Sequence, residues 1–451
     1  MTILDFSPLQ FAPGPIYRVQ RKDASLYYAP GYLLRVEKAS VPSVEEQMLN
    51  HDISSKEPGV ITLLDHAVQA KEKWDNLLAP SYQPQSLHLY LNRRCQLACE
   101  YCFSDLPKVT EPAEISVEAA RAAANLVAKN CAEKNLPLVV VFHGGGEPVL
   151  SWRLIDTLQP ELRRIADAHK LSLFRYIATN GVMTEQRARW LARSFDLVGL
   201  SIDGPTDIQL AQRPYRNSDR DTTVVILRTA RILREAGVPV HVRVTLTARS
   251  ATRQAEICRY LCENISPRAI SVEPVYLGGR ADASMLIQEE HLEGFAASYF
   301  EARTEAQFHG VNWQMSEARL AEVHGPYCNI FRHVLQLTPD DVASACFKDV
   351  SASQAEKRGM LVGRFSETVQ LDVEKVRSLS SAFARPKVCE ICFLGYHCTY
   401  DCPNTCLLDG EKKSDILCKL LKNISSRRLA ELGNKLAHTP GGIAGVAVAS
   451  E

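Results

Sequence analysis

From about residue 85 the chain alternates between two hydrophobic periods. Short apolar runs rich in β-branched and aromatic residues, at 87–91, 138–142, 173–178, 197–202, 240–246 and 270–275, have the length and composition of buried strands. Between them, residues 116–134, 152–169, 184–194, 221–236 and 251–263 repeat their apolar positions at helical spacing. Ser116 stands at the head of the first of these as an N-cap. Six strand–helix units in succession predict an α/β fold with a parallel sheet and right-handed crossovers, either open or closing toward a barrel. A further helix, about 288–308, leads away from the repeat. Residues 1–80 read differently: 17–20, 26–29 and 32–37 predict a small antiparallel sheet, and 60–78 a helix. The tail from Thr439 is built of small residues and predicts a flexible end.

Composition narrows the field. The 451 residues hold 52 Lys+Arg against 52 Asp+Glu. That neutrality gives no overall field for nucleic acid or an anionic membrane. No stretch approaches the ~18 apolar residues of a membrane span. The N-terminus lacks a basic n-region and an apolar h-region, so the expected location is cytoplasmic. The 14 cysteines are the exception to this ordinary profile. In a reducing compartment so many thiols indicate metal binding or catalysis rather than disulfides.

Cys95, Cys99 and Cys102 follow the first strand as C-x3-C-x2-C, with Tyr101 before the third. Three thiolates on one loop can hold three irons of a cubane cluster and leave the fourth open, whereas structural zinc wants four ligands. After the second strand comes His143-Gly144-Gly145-Gly146-Glu147-Pro148, after the third Thr179-Asn180-Gly181, and after the fourth Ser201-Ile202-Asp203-Gly204-Pro205. All four segments fall at the carboxyl ends of consecutive strands, the edge where parallel α/β sheets build active sites. The glycine run has no lysine for a phosphate loop and no G-x-S-x-G partner for an esterase. Ser201 and Asp203 can both face a pocket only if the strand turns there. Cys131, Cys258 and Cys262 lie in helical segments as small buried hydrophobes.

At these residues the chain resembles the radical S-adenosylmethionine (SAM) enzymes, whose signature is this cysteine spacing. The resemblance implies a partial (β/α)6 TIM-like barrel over 85–310. It also implies a [4Fe–4S] cluster on Cys95, Cys99 and Cys102 whose open iron chelates SAM. Gly145, Gly146 and Glu147 would match the motif that binds the SAM amino group. Thr179, Asn180, Ser201, Asp203, Arg213 and Tyr101 would support the rest of that ligand, and Arg243 lies on the fifth strand.

Cys389, Cys392, Cys398 and Cys402 continue as C-x2-C-x5-C-x3-C, followed by Cys406 and Cys418, with Cys328 and Cys346 upstream. This resembles the SPASM extension of the same enzymes, with Asp341 standing where that pattern has Gly. Asp tolerates the left-handed turn better than most residues. The resemblance implies two auxiliary [4Fe–4S] clusters. Cys389, Cys392, Cys398 and Cys418 would hold one. Cys328, Cys346 and Cys402 would hold the other, with Cys406 as the spare ligand. Two zinc sites suit the same count.

The implied organisation is a small N-terminal α+β segment at 1–84, a candidate peptide-recognition module, the core at 85–310, an iron–sulfur domain at 311–425, and a helix end with its tail at 426–451. The expected activity is that of a peptide maturase forming a crosslink or thioether. Its partners would be a peptide or protein and a flavodoxin- or ferredoxin-type electron donor. Anaerobic sulfatase maturation is the alternative within the family, but there an Asp directly follows the cysteine matching Cys346 and acts as base. Here Phe347 follows, with Asp349 two further on. A cysteine-rich zinc or electron-relay protein without catalysis is the alternative outside it.

Overall fold

The computed structural model describes residues 6–9, 14–49, 57–78, 82–104, 114–316, 319–324, 329–382, 387–398, 415–438 and 442–448. Cys328, Cys402 and Cys406 lie outside the described residues. The chain divides into two compact units, one of Ser81–Gln314 with Asn329–Ala382, the other of Met1–Pro80, Met315–Cys328 and Phe383–Glu451.

The second of these is built on a five-stranded antiparallel sheet. Its strands are β1 (Ser7–Pro8), β2 (Tyr17–Gln20), β3 (Ala24–Ala29) and β4 (Tyr32–Glu37), closed at the far edge by the C-terminal β16 (Ile443–Ala447). Helix Pro58–Leu78 lays Val60, Leu63 and Ala67 against Tyr27, Leu34 and Val36 to form the core. The sequence pattern marked this tail as flexible. Instead residues 443–447 pair antiparallel with β4, from Ile443 opposite Val36 to Ala447 opposite Tyr32. Their own alternation is too weak to announce a strand; the open edge of β4 supplies the hydrogen bonds.

The larger unit holds the six predicted strands, β5 (Ser86–Leu89), β6 (Leu138–Phe142), β7 (Leu173–Thr179), β8 (Leu197–Ser201), β9 (Val240–Leu246) and β10 (Ala269–Pro274). They lie side by side in chain order, each parallel to the next. The sheet stays open. At one edge β11 (Asn312–Gln314) adds in parallel to β10, and at the other β12 (Val334–Leu337) adds in parallel to β5. From there β13 (Val342–Ser344), β14 (Leu361–Phe365) and β15 (Val369–Leu371) extend it as an antiparallel meander.

Helices Val117–Glu133, Trp152–Ala168, Glu185–Ser194, Thr222–Glu235 and Gln254–Ile265 return the chain between the core strands. The side chains of Ser116, Thr184 and Asp221 cap the first, third and fourth. Because strand order follows chain order, right-handed crossovers put every connecting helix on one face of the sheet. The strands show it: in β9, Val240, Val242, Val244 and Leu246 are buried, while His241, Arg243 and Thr245 on the opposite face are not. Asp341 adopts φ +57°, the left-handed conformation expected of it in place of glycine. Its carboxylate accepts from the Ser116 amide at 2.8 Å.

Candidate active site

The four polar segments meet at the carboxyl edge of β5–β8. The cysteine loop and the glycine loop are joined backbone to backbone: the Gly146 amide donates to Asn92 O at 2.8 Å, and the Glu147 amide to Arg94 O at 2.7 Å. Gly144 and Gly145 both have φ near +65°, which permits the tight turn. Gly146 is required by contact instead. A Cβ there would lie 2.1 Å from Arg94 O and 2.3 Å from Asn92 Oδ1. Asn92 secures the crossing by donating to Glu147 O (3.0 Å) and Ser151 Oγ (2.7 Å).

Glu147 is buried and its carboxylate is already engaged. It accepts from Thr179 Oγ1 at 2.7 Å, the Asn180 amide at 2.8 Å and the Val149 amide at 3.1 Å. Burial pushes its carboxyl pKa up, and these donors oppose the rise. Asn180 also donates to Cys95 Sγ at 3.7 Å. Gln96 reaches Asn180 Oδ1 and Val182 O, tying the loop after β7 to the cysteine loop.

The other flank is anchored by residues 212–216, where Ala98 and Glu100 donate to the carbonyls of Pro214 and Gln212. Tyr101 turns inward. Its hydroxyl donates to Asp203 at 2.5 Å and accepts from Arg213 at 2.8 Å. The strand does end after Ser201, and Asp203 lies fully buried beyond it. Asp203 also accepts from Gln212 (2.8 Å) and the Thr245 amide (3.0 Å). Burial works against the Arg213 charge, but Tyr101, Cys99 and Asp203 outweigh it and hold its pKa well above the usual arginine value. Ser201 remains half-buried on the helix-free face.

The three thiols of the loop are close enough to perturb one another. Burial pushes the Cys95 thiol up to about 12, with Glu147, Cys99 and Cys102 adding to the rise. Burial raises Cys99 as well. Such thiols stay protonated until a metal replaces the proton. Three soft, partly exposed donors on a single loop fit a three-cysteine iron–sulfur ligand set. The loop after β10 closes over them: Arg280 donates its amide to Cys102 O at 3.1 Å, and a Cβ on Gly279 would strike that carbonyl at 2.2 Å.

In the smaller unit Cys389, Cys392, Cys398 and Cys418 line one small cavity with Leu394, Gly395 and Leu421. Four thiols lining one space suit the wide span of a fully ligated cluster, while among the described residues no three His, Cys, Asp or Glu side chains are gathered closely enough for a single metal ion. Cys346 is buried in the turn after β13, and its sulfur accepts from the Lys348 amide at 3.4 Å. Asp349 is fully buried, accepting from Ser344 Oγ at 2.5 Å and pairing with Arg358 at 2.6 Å. Cys131, Cys258 and Cys262 are buried in helices, the last two 4.0 Å apart. Sequence reasoning missed Asn92, Gln96 and Gln212 as members of the site. Their importance comes from partners on other strands, for which spacing gives no signal.

Residues 89–249 match the family model described as the Radical SAM superfamily. Among curated relatives, the Cysteine-type anaerobic sulfatase-maturating enzyme of Clostridium perfringens (strain 13 / Type A) is 28% identical over 174 residues, 38% of this chain and 46% of that protein. The Pre-heme d1 synthase of Dinoroseobacter shibae is 25% identical over 203 residues, 45% of this chain and again 46% of that protein. The chain thus spans about half the length of the curated relatives it matches. The structure of anSMEcpe with bound AdoMet covers 78% of this chain and 96% of its own, at 19% identity and a TM-score of 0.63. Streptococcus suis SuiB bound to S-adenosylmethionine covers 88% and 99%, at 14% identity and a TM-score of 0.51. These two establish a shared fold.

Proposed function

We propose that the protein is a radical SAM maturase that cleaves SAM reductively and abstracts hydrogen from a ribosomally made peptide, forming a crosslink or thioether. The observation that carries the reading is the joining of the C-x3-C-x2-C loop to Gly146 and Glu147, within a stretch matching the Radical SAM superfamily. Cys95, Cys99 and Cys102 would hold a [4Fe–4S] cluster, which when bound supplies the electron that splits SAM into methionine and a 5′-deoxyadenosyl radical. Glu147 would present the lone pair left on its Oε2 to the SAM ammonium. Arg213, joined to Asp203 through the Tyr101 hydroxyl, would set the position of that rim. Cys389, Cys392, Cys398 and Cys418 would hold one auxiliary cluster, and Cys328, Cys346 and Cys402 the other, with Cys406 as a further ligand. A flavodoxin- or ferredoxin-type donor would reduce the protein.

Oxidation of a sulfatase Cys or Ser is the second reading, favoured by the similarity to the Clostridium perfringens enzyme. Against it, Phe347 follows Cys346, and Asp349 is enclosed by Ser344 and Arg358 instead of facing an open site. Anaerobic reconstitution followed by dithionite-dependent 5′-deoxyadenosine assay tests the reaction class. Product that disappears in the Cys95, Cys99, Cys102→Ala variant supports it; zinc in place of iron, with no deoxyadenosine, overturns it. Co-expression with the short reading frames beside the gene tests the substrate. Loss of two hydrogens from one peptide is expected, and unchanged masses there with turnover of a sulfatase peptide favour the second reading.

A further inference from the structure

Both faces of β3 are buried, and only one of them belongs to the core described above. Tyr27 turns toward helix Pro58–Leu78, while Leu26 and Tyr28, alternating with it, turn the other way. On that second face lie the two elements that carry Cys398 and Cys418. Leu26 packs so closely on helix Asp415–Lys435 that a Cβ at Gly433 would come within 2.8 Å of its methyl. The Tyr28 hydroxyl lies 2.8 Å from His397 Nε2, with Leu320 O as a longer contact at 3.1 Å. His397 Nδ1 is 2.6 Å from Glu322 O. A carbonyl only accepts, so Nδ1 carries the proton, and Nε2 of the neutral ring accepts from Tyr28. Two more residues of the Cys392–Cys398 turn are held by the N-terminal segment. Phe393 packs on Phe6 with ring centres 5.1 Å apart, and Tyr396 on Trp74 at 5.2 Å. The Cys398 amide closes the turn by donating to Leu394 O at 2.8 Å.

We infer that the N-terminal sheet is a working part of the auxiliary metal centre: filling the cavity of Cys389, Cys392, Cys398 and Cys418 stabilises β3, and the Tyr28–His397 hydrogen bond carries the coupling. The inference rests on the reading of these cysteines as an auxiliary cluster site. Each thiol that ligates iron exchanges its S–H bond for an Fe–S bond and releases the proton to solvent. The free energy of that binding orders the turn and the helix that bear the cysteines, and these are the elements that cover Tyr28 and Leu26. An imidazole pinned at both nitrogens fixes the residue immediately before Cys398, so Tyr28 acts as a positioning residue for that ligand. Met1–Pro80 and Phe383–Glu451 accordingly share one compact unit. The coupling is reciprocal: whatever steadies the sheet, a bound peptide included, favours the filled centre by the same factor.

The test compares the full chain before and after anaerobic reconstitution with iron and sulfide. Hydrogen exchange, read by mass spectrometry over peptides containing residues 24–29, should slow by about tenfold or more on loading. The paired substitution Cys392→Ser and Cys418→Ser should abolish that gain. Tyr28→Phe should cut it about fivefold at unchanged iron content, as loss of one buried hydrogen bond implies. In the Cys95, Cys99, Cys102→Ala background, Tyr28→Phe should also shift the electron paramagnetic resonance signal of the reduced auxiliary cluster. Tyr27→Phe is the control, because that hydroxyl binds Glu45 on the opposite face at 2.7 Å. It should weaken the same strand equally with and without metal, leaving the gain and the signal intact. Full iron content with unchanged exchange in the wild type overturns the inference alone. Matching effects of Tyr28→Phe and Tyr27→Phe on gain and signal reduce Tyr28 to packing and overturn it as well. Equal iron in the wild type and the Cys392→Ser, Cys418→Ser chain overturns the auxiliary-cluster reading, and the inference with it.

Discussion

Replacing Gly146 by Ala isolates the contact between the two central loops. Gly146 has no positive φ, so alanine meets no backbone strain there, and any effect comes from the added methyl. Its Cβ would fall 2.1 Å from Arg94 O, 2.5 Å from Arg94 N and 2.3 Å from Asn92 Oδ1. Cβ contacts essentially never fall below 3.0 Å, so the loops must separate by about 1 Å. That opening breaks or stretches the 2.8 Å and 2.7 Å amide bonds to Asn92 and Arg94. The lost hydrogen bonds, at about 1 kcal/mol each, and the overpacking together cost about 3 kcal/mol. The catalytic effect should be larger than this suggests, because a shift of about 1 Å in a reacting group can cost roughly 100-fold in rate. After anaerobic reconstitution, Gly146→Ala should form 5′-deoxyadenosine about 100-fold more slowly per folded chain. Gly294→Ala, which has no positive φ and whose Cβ would meet only the Thr252 side-chain methyl, serves as the control. A Gly146→Ala protein with wild-type iron content and wild-type rate would refute the view that this crossing sets the cluster loop.

Three further outcomes are expected. Asp349→Ala leaves Arg358 without its buried partner and should destabilise by about 3–5 kcal/mol in urea titrations. The fraction that folds should still cleave SAM, and loss of cleavage in fully folded protein would contradict a structural role. Burial pushes His88 down to about 3, and its Nδ1 shares a hydrogen with His143 Nε2 at 2.8 Å. The unfolded chain takes up a proton below about pH 6.5 that folded His88 refuses, so this stability is present at pH 7 and is lost as pH falls. At pH 5 the loss reaches about 2 kcal/mol. His88→Phe should therefore lose less stability than the wild type between pH 7 and pH 5, and equal losses would contradict the assignment. Asp341→Gly keeps the left-handed turn but removes the acceptor for the Ser116 amide, so it should cost about 1 kcal/mol, and Asp341→Ala more; the order of thermal midpoints checks this.

Much of this protein was legible locally. Hydrophobic period alone located the six core strands and the helices between them, because burial of one face imposes that period on any sequence. The cap at Ser116 and the left-handed turn at Asp341 follow from backbone chemistry at single positions. Cysteine spacing on one loop likewise needed no partner to be read.

Tertiary structure decided what depends on residues far apart in the chain. Residues 443–447 become a strand only because β4 offers a free edge. Asp203 and Arg213 meet through Tyr101, which comes from the first loop. Asp349, two residues past Phe347 in sequence, is committed to Arg358. Tyr176 lies across β8 only because Gly199 there leaves room for its phenol. In each case local sequence fixes the side chain's chemistry. Strand order, register and the hand of the crossovers then decide which other side chain it faces.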